Sequence, residues 1–454
     1  MATPDALEAA ARRLYASEAE AYTRLRPVSA RLTAHGIAGF YDGVPMHWLR
    51  DWPLPFLPVV REAQGATLID VDGHEYADFC LGDTGSMFGH SPPSVVEAIR
   101  AQAGRGLTCM LPTEDATRVG AQLRDRFGLP CWQVAATATD ANRYALRVAR
   151  AVTRRPRILV FNGCYHGTVD ETMVRLDPQG RAMNRPGLLG QATDLTAGTR
   201  VIEFNDLAAL EGALQHGDVA CVITEPALTN CAMVLPEPGF HSGLRELTRR
   251  HGTLLLIDET HTIASGPRGY TGLHGLEPDL FVLGKPVAGG VSASVWGFTD
   301  EVATRLDAVR AATVPGHSGM GTTLSANALA LAAMRACLER VMSDEAYSHM
   351  EALAATLLEG LQAAIRSRDL PWHALRLGAR VEFVCAPGPL RNGGEAEAAH
   401  RPALERALHL ALLNRGCLIA PFHNMMLTCP ATGREQVEGL VGAFEQATER
   451  LLAA

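Results

Sequence analysis

The stretch DLFVLGKPVAGG, residues 279–290, decides how this sequence is interpreted. The apolar residues 280–283 are typical of a short buried strand, and the glycine at 284 ends it. The next residue is Lys285, a charged side chain at the point where a buried strand would run into a loop. A single polar residue at a strand end often only reaches solvent, so its meaning depends on the residues at the ends of the neighbouring strands.

Several other short apolar runs have the same form as residues 279–283. They are RILVF (157–161), VACVIT (219–224), TLLLID (253–258) and ASVWGF (293–298), and helical patterns at 94–104, 115–127 and 140–152 alternate with β-rich segments. Alternating β and α segments indicate a largely parallel sheet covered by helices on its faces. The central part of the chain is therefore predicted to have an α/β fold.

The two ends of the chain have a different pattern. The N-terminal part begins with a helical segment at 4–40 and contains a hairpin signal at 66–79, whereas long helical runs and short strands alternate after residue 330. We expect an N-terminal helical arm and loop at 1–69 that contributes to a small domain, a large domain at 70–330 and a C-terminal small domain at 331–454. The Gly-, Glu- and Ala-rich stretch 386–400 is expected to be a mobile surface loop.

Composition and charge narrow the classes of partner. The net charge is -8 and no block of basic residues is present, which argues against nucleic acid and acidic membrane surfaces. No apolar run approaches the ~20 residues of a membrane span. The ten cysteines are scattered singly, as in reduced cytoplasmic proteins, and the dispersed histidines lack the spacing of a metal site. Small molecules are the expected partners.

Polar residues come directly after most of the predicted strands. They are Tyr165 and His166 after 157–161, Glu225 after 219–224, Asp258 and Glu259 at the end of 253–258, and Lys285. The carboxyl ends of parallel strands lie at one edge of a sheet, where ligands bind. A desolvated lysine is a nucleophile that forms an imine with an aldehyde. Together with a carboxylate and an aromatic ring, it supplies what pyridoxal 5'-phosphate requires.

A phosphate site is the next requirement of that cofactor. The segment ATATDANRYALRVAR, residues 136–150, passes from small and hydroxyl residues into a helix. Ala138 and Thr139 would present backbone amides at the positive end of the helix dipole. The segment HSGMGTTLSAN, residues 317–327, is a second helix start of the same kind.

In combination these motifs resemble the class III aminotransferase family of fold-type-I pyridoxal-phosphate enzymes, near its glutamate-1-semialdehyde aminomutase-like branch. The resemblance runs from about residue 27 to the C-terminus and rests on GCYHGTVDE, TEPALTN, LLLIDET, LGKPVAGG and GTTLSAN. It implies a large domain with a mainly parallel seven-stranded sheet flanked by helices, and a smaller α+β domain formed by the C-terminal part and the N-terminal segment. It also implies a homodimer with the active site at the interface.

The resemblance implies three catalytic residues. Lys285 would hold the cofactor as a Schiff base and move protons, first as base and then as acid. Asp258 would pair with the pyridine nitrogen, and Tyr165 would stack on the cofactor ring.

Further cofactor contacts follow from the same resemblance. Asn230 would bond the ring hydroxyl, and Thr260, where the family commonly has valine, would pack on the other face of the ring. Thr323 would reach the phosphate of the neighbouring subunit's cofactor. The remaining predicted cofactor contacts are Ala138, Thr139, His166 and Glu225.

The substrate pocket is predicted from loops at both ends of the chain. Its expected members are Met46, Trp48, Asp83, Thr84 and His423. Relatives that act on amino acids often carry an arginine in these segments, whereas this chain has Met46 and His423 there. This difference favours an amine or a β-amino acid as amino donor.

The predicted activity is a ping-pong transamination from such a donor to a 2-oxo acid, aldehyde or ketone through the Schiff base on Lys285. An intramolecular aminomutase of the glutamate-1-semialdehyde type or a racemase would use the same residues and stays open. A catalytically silent scaffold is disfavoured by the intact catalytic set. A dinucleotide-dependent dehydrogenase is disfavoured because G-x-G-x-x-G is missing at a first βα turn.

Overall fold

The computed structural model describes residues 4–454, which form two compact units. One unit comprises the described chain up to Pro92, Glu345–Pro389 and Ala399–Ala454, and the other comprises Pro93–Asp344 and Leu390–Ala398. The domain boundaries predicted after residues 69 and 330 stay predictions. Residues 1–3 of the predicted N-terminal segment lie outside the described residues.

Helices and strands account for most of the described chain. In chain order the α-helices are α1 Pro4–Leu25, α2 Pro27–Thr33, α3 Pro93–Ala103, α4 Glu114–Phe127, α5 Ala138–Thr153, α6 Leu207–Leu214, α7 Phe240–Arg250, α8 Gly269–His274, α9 Asp300–Ala312, α10 Ala328–Ala336, α11 Asp344–Ser367, α12 Gly393–Ala399, α13 Pro402–Asn414 and α14 Arg434–Ala453. The strands are β1 Val60–Gln64, β2 Thr67–Asp70, β3 Glu75–Asp78, β4 Cys131–Ala135, β5 Arg157–Phe161, β6 Val174–Leu176, β7 Ala182–Asn184, β8 Thr199–Ile202, β9 Val219–Thr224, β10 Leu254–Asp258, β11 Leu280–Leu283, β12 Ser294–Phe298, β13 His373–Leu377, β14 Arg380–Val384, β15 Cys417–Leu418 and β16 Met425–Leu427.

A seven-stranded sheet forms the centre of the unit that contains Lys285. Its strand order is β4-β12-β11-β10-β9-β5-β8, and β12 runs antiparallel to both of its neighbours while the pairs from β11 to β8 are parallel. The apolar runs predicted as strands occupy β5, β9, β10, β11 and β12. The predicted α/β fold with a mainly parallel seven-stranded sheet is confirmed.

Burial explains why these strands are apolar along their whole length. Every residue of β9, β10 and β11 is buried, because helices cover the sheet and leave no solvent-facing side. Helix α5 contributes Ala141, Leu146 and Val148 to the core on this sheet. The sheet is therefore a rigid support for the residues at the ends of its strands.

The other unit joins the beginning and the end of the chain. The hairpin predicted at 66–79 forms from β2 and β3, and β3 pairs in parallel with β15 from the C-terminal part. Helix α1 packs on α13 and α14, and a second hydrophobic core includes Leu14, Leu357 and Phe444. This unit has the α+β character that was expected for the smaller domain.

The stretch 386–400 was predicted as a mobile loop, and that prediction is wrong. It contains α12, whose start is fixed by the Asn392 side chain accepting a hydrogen bond from the Glu395 amide at 2.8 Å. Gly393 lies against the backbone of Asn162, where a Cβ would be 2.1 Å from the carbonyl oxygen. The glycines that suggested a loop instead permit close packing of a helix.

Candidate active site

Strands β10 and β11 bring the predicted lysine and carboxylate segments together. In their parallel register Asp258 lies opposite Val282. Beyond the strand ends the Glu259 amide donates to the Val282 carbonyl oxygen at 2.8 Å, and the Gly284 amide donates to Thr260 Oγ1 at 3.2 Å. Thr260 therefore ties the two segments together, a role that its hydroxyl makes possible and valine could not fill.

Asp258 is a buried carboxylate surrounded by hydrogen-bond donors. Its oxygens accept from Asn142 Nδ2 at 2.8 Å, from His166 Nδ1 at 3.0 Å and from the Thr260 amide at 3.1 Å. Burial alone would raise the pKa of Asp258, but the hydrogen bond and charge of His166, with the hydrogen bonds from Thr260 and Asn142, lower it to about 2. The carboxylate is therefore ionised throughout the physiological pH range.

His166 is the cationic partner of this carboxylate. Burial alone would lower the pKa of His166, but the adjacent Cys164 sulfur and the hydrogen-bonded Asp258 raise it to about 10. An imidazolium and a carboxylate 3.0 Å apart form a charge-assisted hydrogen bond, which fixes the orientation of both side chains. Asp258 is thus held in place before any ligand binds.

A second buried carboxylate follows β9. Glu225 accepts hydrogen bonds from Thr229 Oγ1 and, at 3.2 Å, from Asn230 Nδ2. Burial raises the pKa of Glu225. The predicted cofactor contacts Glu225 and Asn230 are therefore brought together, and the carboxylate orients the amide of Asn230.

The residues predicted to bind the phosphate lie at the N-terminus of α5. Thr137 caps the helix by accepting from the Asp140 amide at 3.2 Å, and Thr139 Oγ1 accepts from the Thr168 amide at 3.0 Å. A Cβ on Gly284 would lie 2.7 Å from Ala138 Cβ. Glycine at 284 therefore lets the segment that carries the lysine approach the first turn of α5.

Tyr165 and Thr323 have different surroundings. Tyr165 is half-buried, and the Arg185 guanidinium lies 5.7 Å from the centre of its ring. Thr323 is exposed in the segment before α10. The structure therefore places Tyr165 in the loop after β5, two residues from Gly167, and leaves Thr323 on the surface of this unit.

The predicted substrate residues belong to the unit formed by the chain ends. Trp48 is partly exposed and packs edge to face on Phe422, with ring centres 6.4 Å apart, and His423 is the next residue. Met46 is exposed just before the 3₁₀ turn His47–Asp51. Trp48 and His423 are thus brought into one neighbourhood.

Asp83 and Thr84 lie in a tight loop of the same unit. Their φ angles are 51° and 77°, in the left-handed region that non-glycine residues adopt rarely. Thr84 is fully buried. Strained backbone of this kind is common at ligand sites, and the assignment of both residues to the substrate pocket stays a prediction.

Three side-chain contacts were not anticipated from the sequence. Asn142 supports Asp258, His261 Nε2 lies 2.8 Å from Lys285 Nζ, and Arg380 forms a fully buried ion pair with Glu382 at 2.7 Å. His423 Nδ1 is 3.3 Å from Glu382 Oε1, so this ion pair adjoins a predicted substrate residue. Asn142 and His261 meet their partners only after folding, whereas Arg380 and Glu382 are two residues apart on one strand, where alternate charged residues usually face solvent.

The amino-acid composition also distinguishes Lys285 from the other charged residues, independently of its position after a strand. Lysine and arginine together number 41, and Lys285 is the only lysine in the sequence. The single primary amine among the side chains therefore stands at the end of a central strand of the sheet.

These residues fit pyridoxal 5'-phosphate. An ionised carboxylate suits a protonated pyridine nitrogen, an α-helix N-terminus suits a phosphate, and an amine suits an aldehyde. The close approach of Gly284 to Ala138 brings the segment that carries the lysine next to the first turn of α5. Within residues 4–454 no group of three His, Cys, Asp or Glu side chains is arranged to hold a metal ion, and no helix is long and apolar enough to cross a membrane.

Comparison with known proteins agrees with this geometry. The family model for class III aminotransferases matches residues 50–447. The glutamate-1-semialdehyde 2,1-aminomutase of Sorangium cellulosum (strain So ce56) is 34% identical over 396 residues, which cover 86% of this chain and 88% of that protein.

A solved structure is more similar still. The crystal structure of a glutamate-1-semialdehyde-aminomutase from Pseudomonas aeruginosa PAO1 has 51% sequence identity and a TM-score of 0.95, and the alignment covers 98% of this chain and 99% of that one. A lysine-to-alanine variant of that enzyme in complex with PMP has 50% identity, a TM-score of 0.95 and the same coverage.

These relatives overturn the predicted activity. A ping-pong transfer from an amine or β-amino acid to a separate oxo acid was expected, whereas the similar proteins are aminomutases, which move an amino group within one molecule. The prediction of the cofactor is confirmed, and so is the branch of the family. The chain belongs to the class III aminotransferase family and is an enzyme that uses pyridoxal 5'-phosphate.

Proposed function

We propose that this chain is an intramolecular aminomutase of the glutamate-1-semialdehyde type, which moves an amino group between neighbouring carbons of one substrate. The observation that carries the proposal is the 51% identity, over 98% of the chain, to an enzyme of that name. In this reaction an amino aldehyde becomes an amino ketone of the same composition. No oxidant, reductant or second carbonyl compound is consumed.

Bound pyridoxal 5'-phosphate supplies an aldehyde that takes up the amino group and a conjugated ring that accepts the electron pair released at the substrate carbon. Lys285 is proposed to hold this aldehyde, and then to take a proton at Nζ from one substrate carbon and return it to another position. Asp258 stays negatively charged opposite the ring nitrogen, because His166 and Asn142 hold it there.

The remaining residues are proposed to bind and orient. The Ala138 and Thr139 amides hold the phosphate, Asn230 orients the ring hydroxyl with support from Glu225, and Tyr165 covers one face of the ring. These contacts would fix the cofactor, and a substrate carbon joined to it would then be held within reach of the Lys285 amine.

We also propose that the enzyme is a homodimer with Thr323 at the interface. A hollow of about 420 Å³ on the surface is lined by Thr323 together with Met110, Leu111 and Trp132. Met110 and Leu111 in this hollow, and Val314 in the segment after α9, are strongly exposed apolar side chains, and exposed apolar patches mark contact surfaces. Sedimentation of the loaded enzyme at the mass of one chain would refute this proposal.

The ten cysteines form no disulfide, which supports the predicted cytoplasmic location.

The test of the activity is isomerisation without a second substrate. Purified enzyme loaded with cofactor is given glutamate 1-semialdehyde alone, and we expect conversion to the amino ketone without any added oxo acid. Parallel reactions pair a β-amino acid, an α-amino acid or an arylalkylamine with pyruvate or 2-oxoglutarate. Product that forms only in these paired reactions would contradict the aminomutase assignment.

The matched control is Lys285→Ala. Because it removes the only lysine side chain, we expect no borohydride-reducible yellow chromophore and no turnover. A Lys285→Ala enzyme that retains either property would contradict the assignment of the lysine.

A further inference from the structure

Lys285 has one neighbour for which the proposed function has no role. His261 Nε2 lies 2.8 Å from Lys285 Nζ, and the histidine side chain is 5% exposed. A distance of 2.8 Å is that of a strong hydrogen bond between two nitrogen atoms. Both groups are bases, so the contact requires that one of them carries a proton that the other accepts.

The backbone holds this pair together. The hydrogen bond from the Gly284 amide to Thr260 Oγ1 links the residue before the lysine to the residue before the histidine. Lys285 has a φ of 43°, in the left-handed region that a non-glycine residue adopts rarely and that persists only where the surroundings enforce it. His261 begins the buried 3₁₀ turn Thr262–Ser265 as its N-cap residue. The contact is therefore built into the ends of two adjacent strands.

We propose that His261 is a positioning residue that accepts a proton from the Lys285 ammonium and so delivers the free amine to the cofactor aldehyde. The proton moves from Nζ to Nε2, and the nitrogen lone pair attacks the aldehyde carbon. As the carbon–nitrogen double bond forms, the carbon–oxygen bond breaks, and the aldehyde oxygen leaves as water with the two protons that remained on Nζ, while His261 keeps the proton it accepted. The inference rests on the proposed role of Lys285 as the cofactor-binding lysine, and it is independent of the substrate.

The other ionisable groups on the adjoining elements already have partners. Asp258 is bonded to His166, and Glu259 accepts from Thr262 Oγ1 and from the amides of α8. At the start of α5, Asp140 is bonded to Thr137.

The elements packed under the turn Lys285–Ala288 carry charges that are also paired. On α10, Arg335 pairs with Asp115. The π-helical turn Cys337–Val341 contributes two further ion pairs, which join Glu339 to Arg118 and Arg340 to Glu97. The pair formed by Lys285 and His261 includes the proposed cofactor-binding amine, so a proton that moves within this pair frees that amine.

The experiment uses the full-length apoenzyme and pyridoxal 5'-phosphate, with no substrate. Because Lys285 is the only lysine, the chromophore formed on mixing and the label retained after borohydride reduction report one side chain. Stopped-flow absorbance gives the rate of bond formation between pH 6 and pH 9, and peptide mass spectrometry verifies the position of the label.

Two variants separate proton acceptance from packing. His261→Gln keeps a hydrogen-bonding group near the position of Nε2 but does not take up a proton, and His261→Leu removes the bond. We expect bond formation at pH 7 to be about 100-fold slower in both variants, at the lower end of general-base effects, and to approach the wild-type rate at pH 9. Rates within twofold of wild type at every pH would overturn the proposal.

Gln restoring the wild-type rate and pH profile would also overturn it, because the histidine would then act only as a spacer. If His261→Leu does not fold, the Gln variant alone decides between these outcomes. Failure of the aminomutase assay leaves this measurement unaffected, so the two proposals can fail separately.

Discussion

The pair formed by His166 and Asp258 gives the most quantitative prediction. The pKa of Asp258 is about 2, against an ordinary value of 3.8, and one pKa unit corresponds to about 1.36 kcal/mol. Ionisation of this carboxylate therefore stabilises the folded chain by about 2–3 kcal/mol at neutral pH. His166 contributes the largest favourable effects, so most of this energy should appear as coupling between the two side chains.

A double-mutant cycle measures that coupling. The variants are His166→Leu, Asp258→Asn and their combination, each prepared without cofactor, and the free energy of unfolding is taken from urea titrations at pH 7.5. Each single variant should lose about 3–5 kcal/mol because the remaining partner is buried and unpaired. The double variant should be more stable than the sum of the single effects by about 2–3 kcal/mol.

The control replaces another histidine of the same unit. His241 Nε2 lies 2.8 Å from the Pro226 carbonyl oxygen, so His241→Leu and Asp258→Asn should combine additively within about 0.5 kcal/mol. Additivity of the His166 and Asp258 substitutions would refute the electrostatic argument.

The pH dependence provides a second measure of the same energy. The folded-state pKa of Asp258 is lowered, so its stabilisation is present above about pH 4 and is lost as the pH falls towards 2. The Asp258→Asn variant should lose less stability than wild type across this interval.

Two further predictions concern packing. Gly284→Ala should weaken binding of pyridoxal 5'-phosphate at least about 10-fold, because the new Cβ would lie 2.7 Å from Ala138 Cβ. Equilibrium dialysis measures this affinity. The control variant Gly120→Ala, whose new Cβ would have no atom within 4 Å, should bind the cofactor like wild type. Unchanged affinity of Gly284→Ala would contradict the close approach. Arg380→Met should lower the free energy of unfolding by about 3–5 kcal/mol, because Glu382 is left buried without its cation, and adding Glu382→Met should recover most of the loss. Thermal unfolding checks this, and a double variant no more stable than the single one would contradict it.

The sequence by itself was sufficient for five of the seven strands of the central sheet, all except β4 and β8, and for the edge where chemistry is expected. Strands such as Val219–Thr224 are continuous apolar runs because helices cover both faces, and that signal is local. Polar residues directly after such runs, above all Lys285, must lie at the carboxyl edge. The glycines in 386–400, in contrast, led to the wrong prediction of a mobile loop where α12 forms, because glycine permits both flexible loops and close helix packing.

Tertiary structure alone decided how these residues are partnered. Asp258 and His166 are 92 residues apart, and Lys285 and His261 are 24 apart, so their contacts depend on strand order and register, which hydrophobic periodicity does not encode. The buried pair of Arg380 and Glu382 is invisible for a related reason: two charged residues in a strand look solvent-exposed until the fold encloses them. The local pattern of apolar residues indicates which residues are buried, but strand order and register in the folded sheet determine which of the buried residues contact one another.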